Sequence, residues 1–302
     1  MNRLKSINNL VQRWLQTQQS ALRVLIQSNF TGIASNVQPS KPLLILGNGP
    51  SLNETFHSDQ GLMDSFDLIA VNYATTHKKF EELKPRYYLI NANTFFQEDH
   101  ELNELYLEIN RELYHNLRTK TQWKMTMLVP FRAKKSRAFR QLLESNPHID
   151  AAYFNQTPIE GLSFWSHWGY RLGWGMPRPH NVLIPCIMVG IRLGYRHIAL
   201  VGADHSWLAD LSVNASNEAL LRHVHYYDTE GTKPMKMEDR IQQPRKLHEI
   251  IHKFYLSFEG YWRIKSFAEQ QHITIINASK TSMIDAFARK SLAQFIQDMP
   301  QK

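Results

Sequence analysis

Four short apolar runs in this chain each stop at a glycine or a polar residue. They are Leu43–Leu46 before Gly47-Asn48, Leu68–Val71 before Asn72, Tyr87–Ile90 before Asn91, and Ile198–Val201 before Gly202-Ala203-Asp204. None alternates apolar with polar residues, so each reads as a strand buried on both faces, as in a parallel sheet. Trp123–Val129 and Ile273–Asn277 read as further strands. Helical patterns fall between them, at residues 61–66, 76–84, 98–120, 184–193, 244–271 and 281–296. That alternation predicts an α/β fold with a mostly parallel sheet. At 302 residues and 43% hydrophobic, the chain has enough apolar material for a sizeable core, which excludes disorder throughout.

Three segments stand apart from this pattern. Residues 1–30 form an N-terminal amphipathic helix, with Leu4, Ile7, Val11 and Trp14, then Leu22 and Leu25, at helical spacing. Arg3, Lys5, Arg13 and Arg23 lie between them, and no acidic residue occurs before Glu54. Such a helix suits either an anionic membrane surface or packing on its own domain or a sister subunit in a homo-oligomer. Residues 31–42 read as the linker to an α/β domain at 42–296, within which 150–184 has no clean period and 207–243 is a polar stretch. These two are expected to be lid or acceptor-side insertions, the first with a structural plug as its alternative.

In open α/β sheets, ligands collect at the C-terminal ends of the strands. The residues there are the turn Gly47-Asn48-Gly49-Pro50-Ser51, then Asn72, then Asn91 and Asn93, and finally Asp204-His205-Ser206. Glycines let a phosphate approach the backbone closely, and asparagine offers a donor and an acceptor to a ribose or base. The turn lacks the full dinucleotide fingerprint and has no Gly-Lys-Ser/Thr, so on its own it reads equally as a tight turn.

Together, the segments GNGPSL (47–52), DLIAVN (67–72), YYLINANTFF (87–96) and IPCIMVGIRLGYRHIALVGAD (184–204) resemble the bacterial sialyltransferases of glycosyltransferase family 42. They are also similar to related proteins of surface-polysaccharide gene clusters. The likeness covers residues 42–96 and 181–206, and is weaker at 223–226 and 260–278. It implies a modified Rossmann-type, GT-A-like domain with a smaller helical lid. It also implies an inverting, metal-independent transfer of an acidic sugar from a CMP-activated donor. Asn48, Gly49 and Ser51 would meet the nucleotide phosphate region, and Asn72 and Asn91 match the family's nucleotide-contacting asparagines. Three departures accompany the likeness. Val182-Leu183-Ile184 stands where the family has Thr-Ser-Gly, and the family's phosphate-assisting tyrosines have no clean match after Asp204, where His205, Ser206 and Trp207 stand. Ser257-Phe258 occupies the place nearest the family's catalytic histidine, with His252 about a turn earlier.

An inverting transfer needs a base for the acceptor hydroxyl and donors for the departing phosphate. In the segment Arg222-His223-Val224-His225-Tyr226-Tyr227, an extended backbone turns both imidazoles the same way. His225 is the favoured base, ahead of His223, with Asp204, His205 and Tyr226 as further catalytic candidates. Arg222 and Tyr227 are expected to assist the phosphate. The same histidines with Asp204 and His205 could instead hold zinc, although no recognised ligand spacing is present and no Asp-x-Asp occurs.

The formal charge of +8 favours an anionic partner. Arg132, Lys134, Lys135, Arg137 and Arg140 form a basic run, read as a solvated helix face; with no recognised motif, nucleic acid is not expected as a partner. Cys186, the one cysteine, excludes an internal disulfide and reads as a small buried side chain. The expectation is thus a cytoplasmic enzyme, peripheral to the inner membrane, that binds a nucleotide sugar and a glycan or glycolipid acceptor. It would use no cofactor beyond the CMP-sugar donor. The rivals are a nucleotide-dependent (di)phosphotransferase and a nucleotide-binding scaffold without chemistry.

Overall fold

The computed structural model describes residues 2–33, 39–222, 235–236 and 243–299. It is an α/β fold of Rossmann type in which eight strands pair in parallel and helices flank them. In chain order the strands are β1 (Leu43–Leu46), β2 (Asp67–Val71), β3 (Tyr87–Leu89), β4 (Met125–Pro130), β5 (Ile149–Phe154), β6 (His197–Val201), β7 (Leu211–Val213), β8 (Ala219–Leu221), β9 (Met235–Lys236), β10 (Thr274–Asn277) and β11 (Ala288–Arg289). The helices are α1 (Asn2–Gln27), α2 (Ser51–Ser58), α3 (Lys79–Leu83), α4 (Glu104–Lys120), α5 (Arg137–Ser145), α6 (Ser163–Leu172), α7 (Leu183–Arg192), α8 (Leu247–Gln270) and α9 (Leu292–Gln297). The chain divides into two compact units, residues 1–40 with 69–196 and residues 41–68 with 197–302.

The first unit carries the strand order β2-β3-β4-β5, with Ile69 opposite Tyr87, Tyr88 opposite Met127 and Leu128 opposite Ala152. Its core gathers Tyr88, Ile90, Met127 and Val129 from the strands with Leu113, Leu117, Phe139 and Leu142 from α4 and α5. Helix α7 is buried from Leu183 to Gly190. Cys186 lies inside it, and burial pushes its thiol well above the usual range, so it is the inert small side chain expected.

The second unit carries the order β11-β10-β6-β1, with Ile45 opposite Leu200 and Ile276 opposite Ala199. A small antiparallel sheet, β7-β8-β9, lies within the segment read as a polar insertion. Its Ala219 and Leu221 pack with Ile250 and Phe254 of α8.

Several expectations shift. Residues 281–296 are helical only from Leu292, because Thr281, Ser282 and Met283 are held in irregular backbone by bonds to Ala203 and Asp204. The helical connection read at 61–66 is a 3-10 turn at Gln60–Ser65, preceded by α2. The aperiodic 150–184 holds most of β5 and all of α6. Of the basic run read as one helix face, only Arg137 and Arg140 lie on a helix, Arg137–Ser145, while Arg132, Lys134 and Lys135 precede it in a 3-10 turn.

Candidate functional site

The glycine turn after β1 is shaped by the backbone that follows β6. A Cβ on Gly47 would sit 2.4 Å from the Gly202 carbonyl oxygen, and one on Gly49 would sit 1.9 Å from Asp204 Oδ2. Gly202 itself has φ +62, and a Cβ there would lie 2.5 Å from the Gly47 oxygen. These approaches allow Gly47 N to donate to Val201 O and Gly49 N to Gly202 O, both at 2.8 Å. Pro50, which has no N–H to leave unsatisfied, then leads into α2.

Asp204 closes the arrangement. Its Oδ1 accepts from Ser51 N at 3.2 Å and from the Thr281 hydroxyl at 2.9 Å, and its Oδ2 accepts from the Ser51 hydroxyl at 2.8 Å. Met283 N donates to its carbonyl at 2.8 Å, and Ala203 N donates to Ser279 Oγ at 2.9 Å. The loops after β1, β6 and β10 are therefore tied together through one buried carboxylate. Within this turn, the amides of Gly47, Gly49 and Ser51 are bonded to the protein itself.

His205 is buried in the left-handed region at φ +52. Its Nε2 lies 2.5 Å from the Tyr261 hydroxyl, and its ring centroid is 4.0 Å from that of Trp207. Burial lowers its pKa to about 3, so the ring is neutral near pH 7 and a weak base. Beside it, Leu208, Tyr255, Phe258, Trp262 and Met283 line an open groove of about 480 Å³, with Glu259 and Asp285 at its wall. Trp262 Nε1 donates to Asp285 Oδ1 at 3.2 Å. Ser257, nearest the family's catalytic position, is buried and its hydroxyl donates to the Lys253 carbonyl at 3.1 Å. His252 is exposed on the same helix.

The asparagines lie in the other unit. Asn72 ends β2 at φ +48, with its N–H donating to Leu89 O at 3.1 Å and its carbonyl accepting from the Tyr88 hydroxyl. Its side-chain Oδ1 is buried and has no hydrogen-bond partner among the described residues. Asn91 is a structural node. Its carbonyl accepts from Arg132 Nη2 at 2.8 Å and Gln156 Nε2 at 3.0 Å, its Oδ1 also accepts from Gln156 Nε2, and its Nδ2 donates to Pro179 O at 3.2 Å. Asn93 is exposed at the start of a 3-10 turn.

The candidate residues thus fall into two groups. Gly49 and Ser51 meet Asp204 and Gly47 meets Gly202 in the second unit, where Asn48, Pro50 and His205 also lie, while Asn72, Asn91 and Asn93 belong to the first. His223, His225, Tyr226 and Tyr227 lie outside the described residues. Arg222 is exposed and paired with Asp210 at 2.8 Å. Arg132, Gln156, Tyr261 and Thr281 had not been singled out as site residues. The strand-end rule reaches Arg132, which stands two residues beyond β4 at Pro130, and Thr281, which stands four beyond β10. Tyr261 carries no such signal, because only the packing of α8 brings it to His205. Among the described residues, no group of three or more His, Cys, Asp or Glu is placed to hold a metal ion. No helix among them is long and apolar enough to cross a membrane.

Fold and strand ends together define an α/β protein of Rossmann type with polar residues at the C-terminal ends of its strands. No protein-family model matches the chain, and no curated protein matches it. One similar solved structure is described as the MAf glycosyltransferase from Magnetospirillum magneticum AMB-1, at a TM-score of 0.49 and 14% identity. The match covers 97% of this chain and 39% of that one.

Proposed function

We propose that the protein is an inverting glycosyltransferase that takes an acidic sugar such as sialic acid from a CMP-activated donor, without a metal ion, and delivers it to a cell-surface glycan acceptor. The observation that carries the nucleotide part is the buried, unpartnered Oδ1 of Asn72. Leaving such an acceptor unsatisfied costs about 1–3 kcal/mol. Its backbone sits in a left-handed pose that asparagine tolerates better than most residues, held by Tyr88. A ligand N–H or O–H, such as the cytosine amino group or a ribose hydroxyl, would satisfy it. The net charge of +8 favours a donor that carries both a phosphate and a carboxylate.

In the proposed reaction, the base takes the proton of an acceptor hydroxyl, and that oxygen bonds to the anomeric carbon. The bond from this carbon to the phosphate oxygen breaks, and CMP departs with the electron pair. His225, with His223 second, remains the proposed base, and Arg222, Tyr226 and Tyr227 the groups at the phosphate. His205 suits this role poorly, since burial has removed most of its basicity. The aromatic groove around Trp262 has the composition of a sugar-binding surface, with apolar faces and two carboxylates to accept hydroxyl bonds. It is the proposed seat of the acceptor. One observation counts against nucleotide contacts at the other expected positions: Asn91 and the turn amides are bonded within the chain, so the reading rests on Asn72.

Calorimetry with CMP, UMP, UDP, GDP and ADP, first in EDTA and then with magnesium, tests the reading. CMP is expected to bind in EDTA, and Asn72→Ala to weaken it by about tenfold, in line with one lost hydrogen bond of about 1.4 kcal/mol. Preference for another nucleotide would discard the CMP-sugar donor. Magnesium-dependent turnover would favour the phosphotransferase, and tight binding without donor turnover would favour the scaffold.

A further inference from the structure

Helix α1 docks on its own unit through its small and polar residues. Thr17, Ser20 and Val24 are buried, at spacings of three and four. Leu162 N donates to Thr17 Oγ1 at 2.9 Å, Trp165 Nε1 donates to Ser20 Oγ at 2.6 Å, and Arg23 pairs with Glu160 at 3.2 Å. Gly161, at φ +103, permits the contact, since a Cβ there would lie 2.2 Å from Thr17 Oγ1.

The large apolar residues of α1 are turned the other way. Ile7, Leu10, Trp14, Leu22, Leu25 and Ile26 are between 52% and 72% exposed, and their spacing puts them on one face of a helix about 39 Å long. Helix α6, bonded to α1 through Trp165, exposes a second row at Phe164, Trp168 and Leu172. Phe30 meets Trp174 edge to face at 5.5 Å, and Trp174 meets Trp168 at 4.9 Å, so an aromatic cluster runs from the end of α1 to α6. Apolar exposure on this scale marks an interaction surface.

Charge identifies the occupant. Residues 1–53 contain no Asp or Glu and carry Arg3, Lys5, Arg13, Arg23 and Lys41, and residues 161–182, which contain α6, also lack acids and carry Arg171 and Arg178; Glu160 pairs with both Arg23 and Arg178, and the other cations leave the balance basic. Two copies meeting through this face would bring these basic, acid-free segments against each other. An anionic headgroup layer offers the opposite charge above an apolar interior. We infer that the exposed face of α1 and α6 lies on an anionic lipid surface, with the helices parallel to it and Thr17, Ser20 and Val24 tethering them to the protein. This inference is independent of the reaction proposed above.

Flotation of the purified full chain with phosphatidylcholine vesicles, with and without phosphatidylglycerol, tests it. The chain is expected to float with the mixed vesicles and to lose at least about tenfold in partitioning at high salt, because surface attraction is screened. The triple variant Leu10→Glu, Leu22→Glu, Leu25→Glu changes only exposed positions, so its circular dichroism and melting temperature should match the wild type. Its partitioning should fall by at least about tenfold. No flotation with either vesicle, equal flotation with both, or undiminished binding by a folded variant would overturn the inference. So would a lipid-free dimer, seen by light scattering, that the triple variant dissociates.

Discussion

The Asp204 carboxylate takes, at the start of α2, a position that a bound anion occupies in many nucleotide-binding proteins. It joins three strand-end loops through bonds to Ser51 and Thr281, and the next residue inherits the enclosure. His205 is shut between Trp207 and Tyr261, and its pKa falls from 6.5 to about 3 because burial penalises the charged ring. In the unfolded chain the ring protonates at its ordinary value. A depressed folded pKa therefore stabilises the protein fully above about pH 6.5, and that contribution is lost as the pH falls toward 3. The expected slope is at most about 1.4 kcal/mol per pH unit from this one proton. Urea unfolding across this range should show a steeper acid-side loss for wild type than for His205→Gln, whose side chain does not titrate. Parallel curves for the two proteins would mean that the native ring ionises normally.

At the scale of elements, the β1–turn–α2 unit owes its glycines to the strand beside it. Gly49→Ala places a methyl carbon against the Asp204 carboxylate and 2.7 Å from the Gly202 carbonyl, both of which are fixed by other bonds. The expected cost is about 2–4 kcal/mol in urea unfolding, from overpacking and loosened bonds to Asp204. A turn whose glycines served only to admit a phosphate would lose nucleotide affinity and little stability. The sequence made β1, β2, β3 and β6 legible because each is a continuous apolar run, fully buried over at least three residues. It hid β5, where Ile149 and Phe154 are buried but Ala151, Ala152 and Tyr153 between them are only half-covered. It hid α6 because that helix buries Ser166 and Gly169 beside Tyr170 and exposes Phe164 and Trp168, so its large apolar residues are split between two faces. The true start of α9 was written as Ser291-Leu292-Ala293-Gln294, whose reciprocal capping bonds are both formed. The apolar Ile284 and Phe287 suggested an earlier start. The strand-end rule found Asn72 and Asp204, but it gave no hint that Asn91 would be spent on Arg132 and Gln156, because those partners lie 41 and 65 residues away.

At the scale of the molecule, both units are discontinuous in sequence. Residues 41–68 belong to a unit otherwise built from 197–302, and residues 1–40 to one otherwise built from 69–196. Strand β1 pairs with β6, and its Leu43, Leu44, Ile45 and Leu46 are 0–3% exposed. Each such side chain contributes about 1.5–3 kcal/mol when buried. The four together amount to roughly 6–12 kcal/mol, comparable with the whole stability of a typical domain. A fragment ending at Arg196 keeps β1 and loses β6, β10 and α8. It should uncover the edge of the Leu43–Leu46 run that pairs with β6, bind a hydrophobic dye and associate, since uncovered strand edges template pairing with other chains. Hydrogen exchange gives the residue-level readout. In the full chain the β1 amides bonded to β6 should exchange slowly, and in the fragment the same amides should exchange at rates near those of an unfolded peptide. Retained protection at Ile45 and Gly47, whose amides face β6, in a soluble fragment would mean that β1 finds its stability without the 197–302 segment, and the division into two discontinuous units would be wrong.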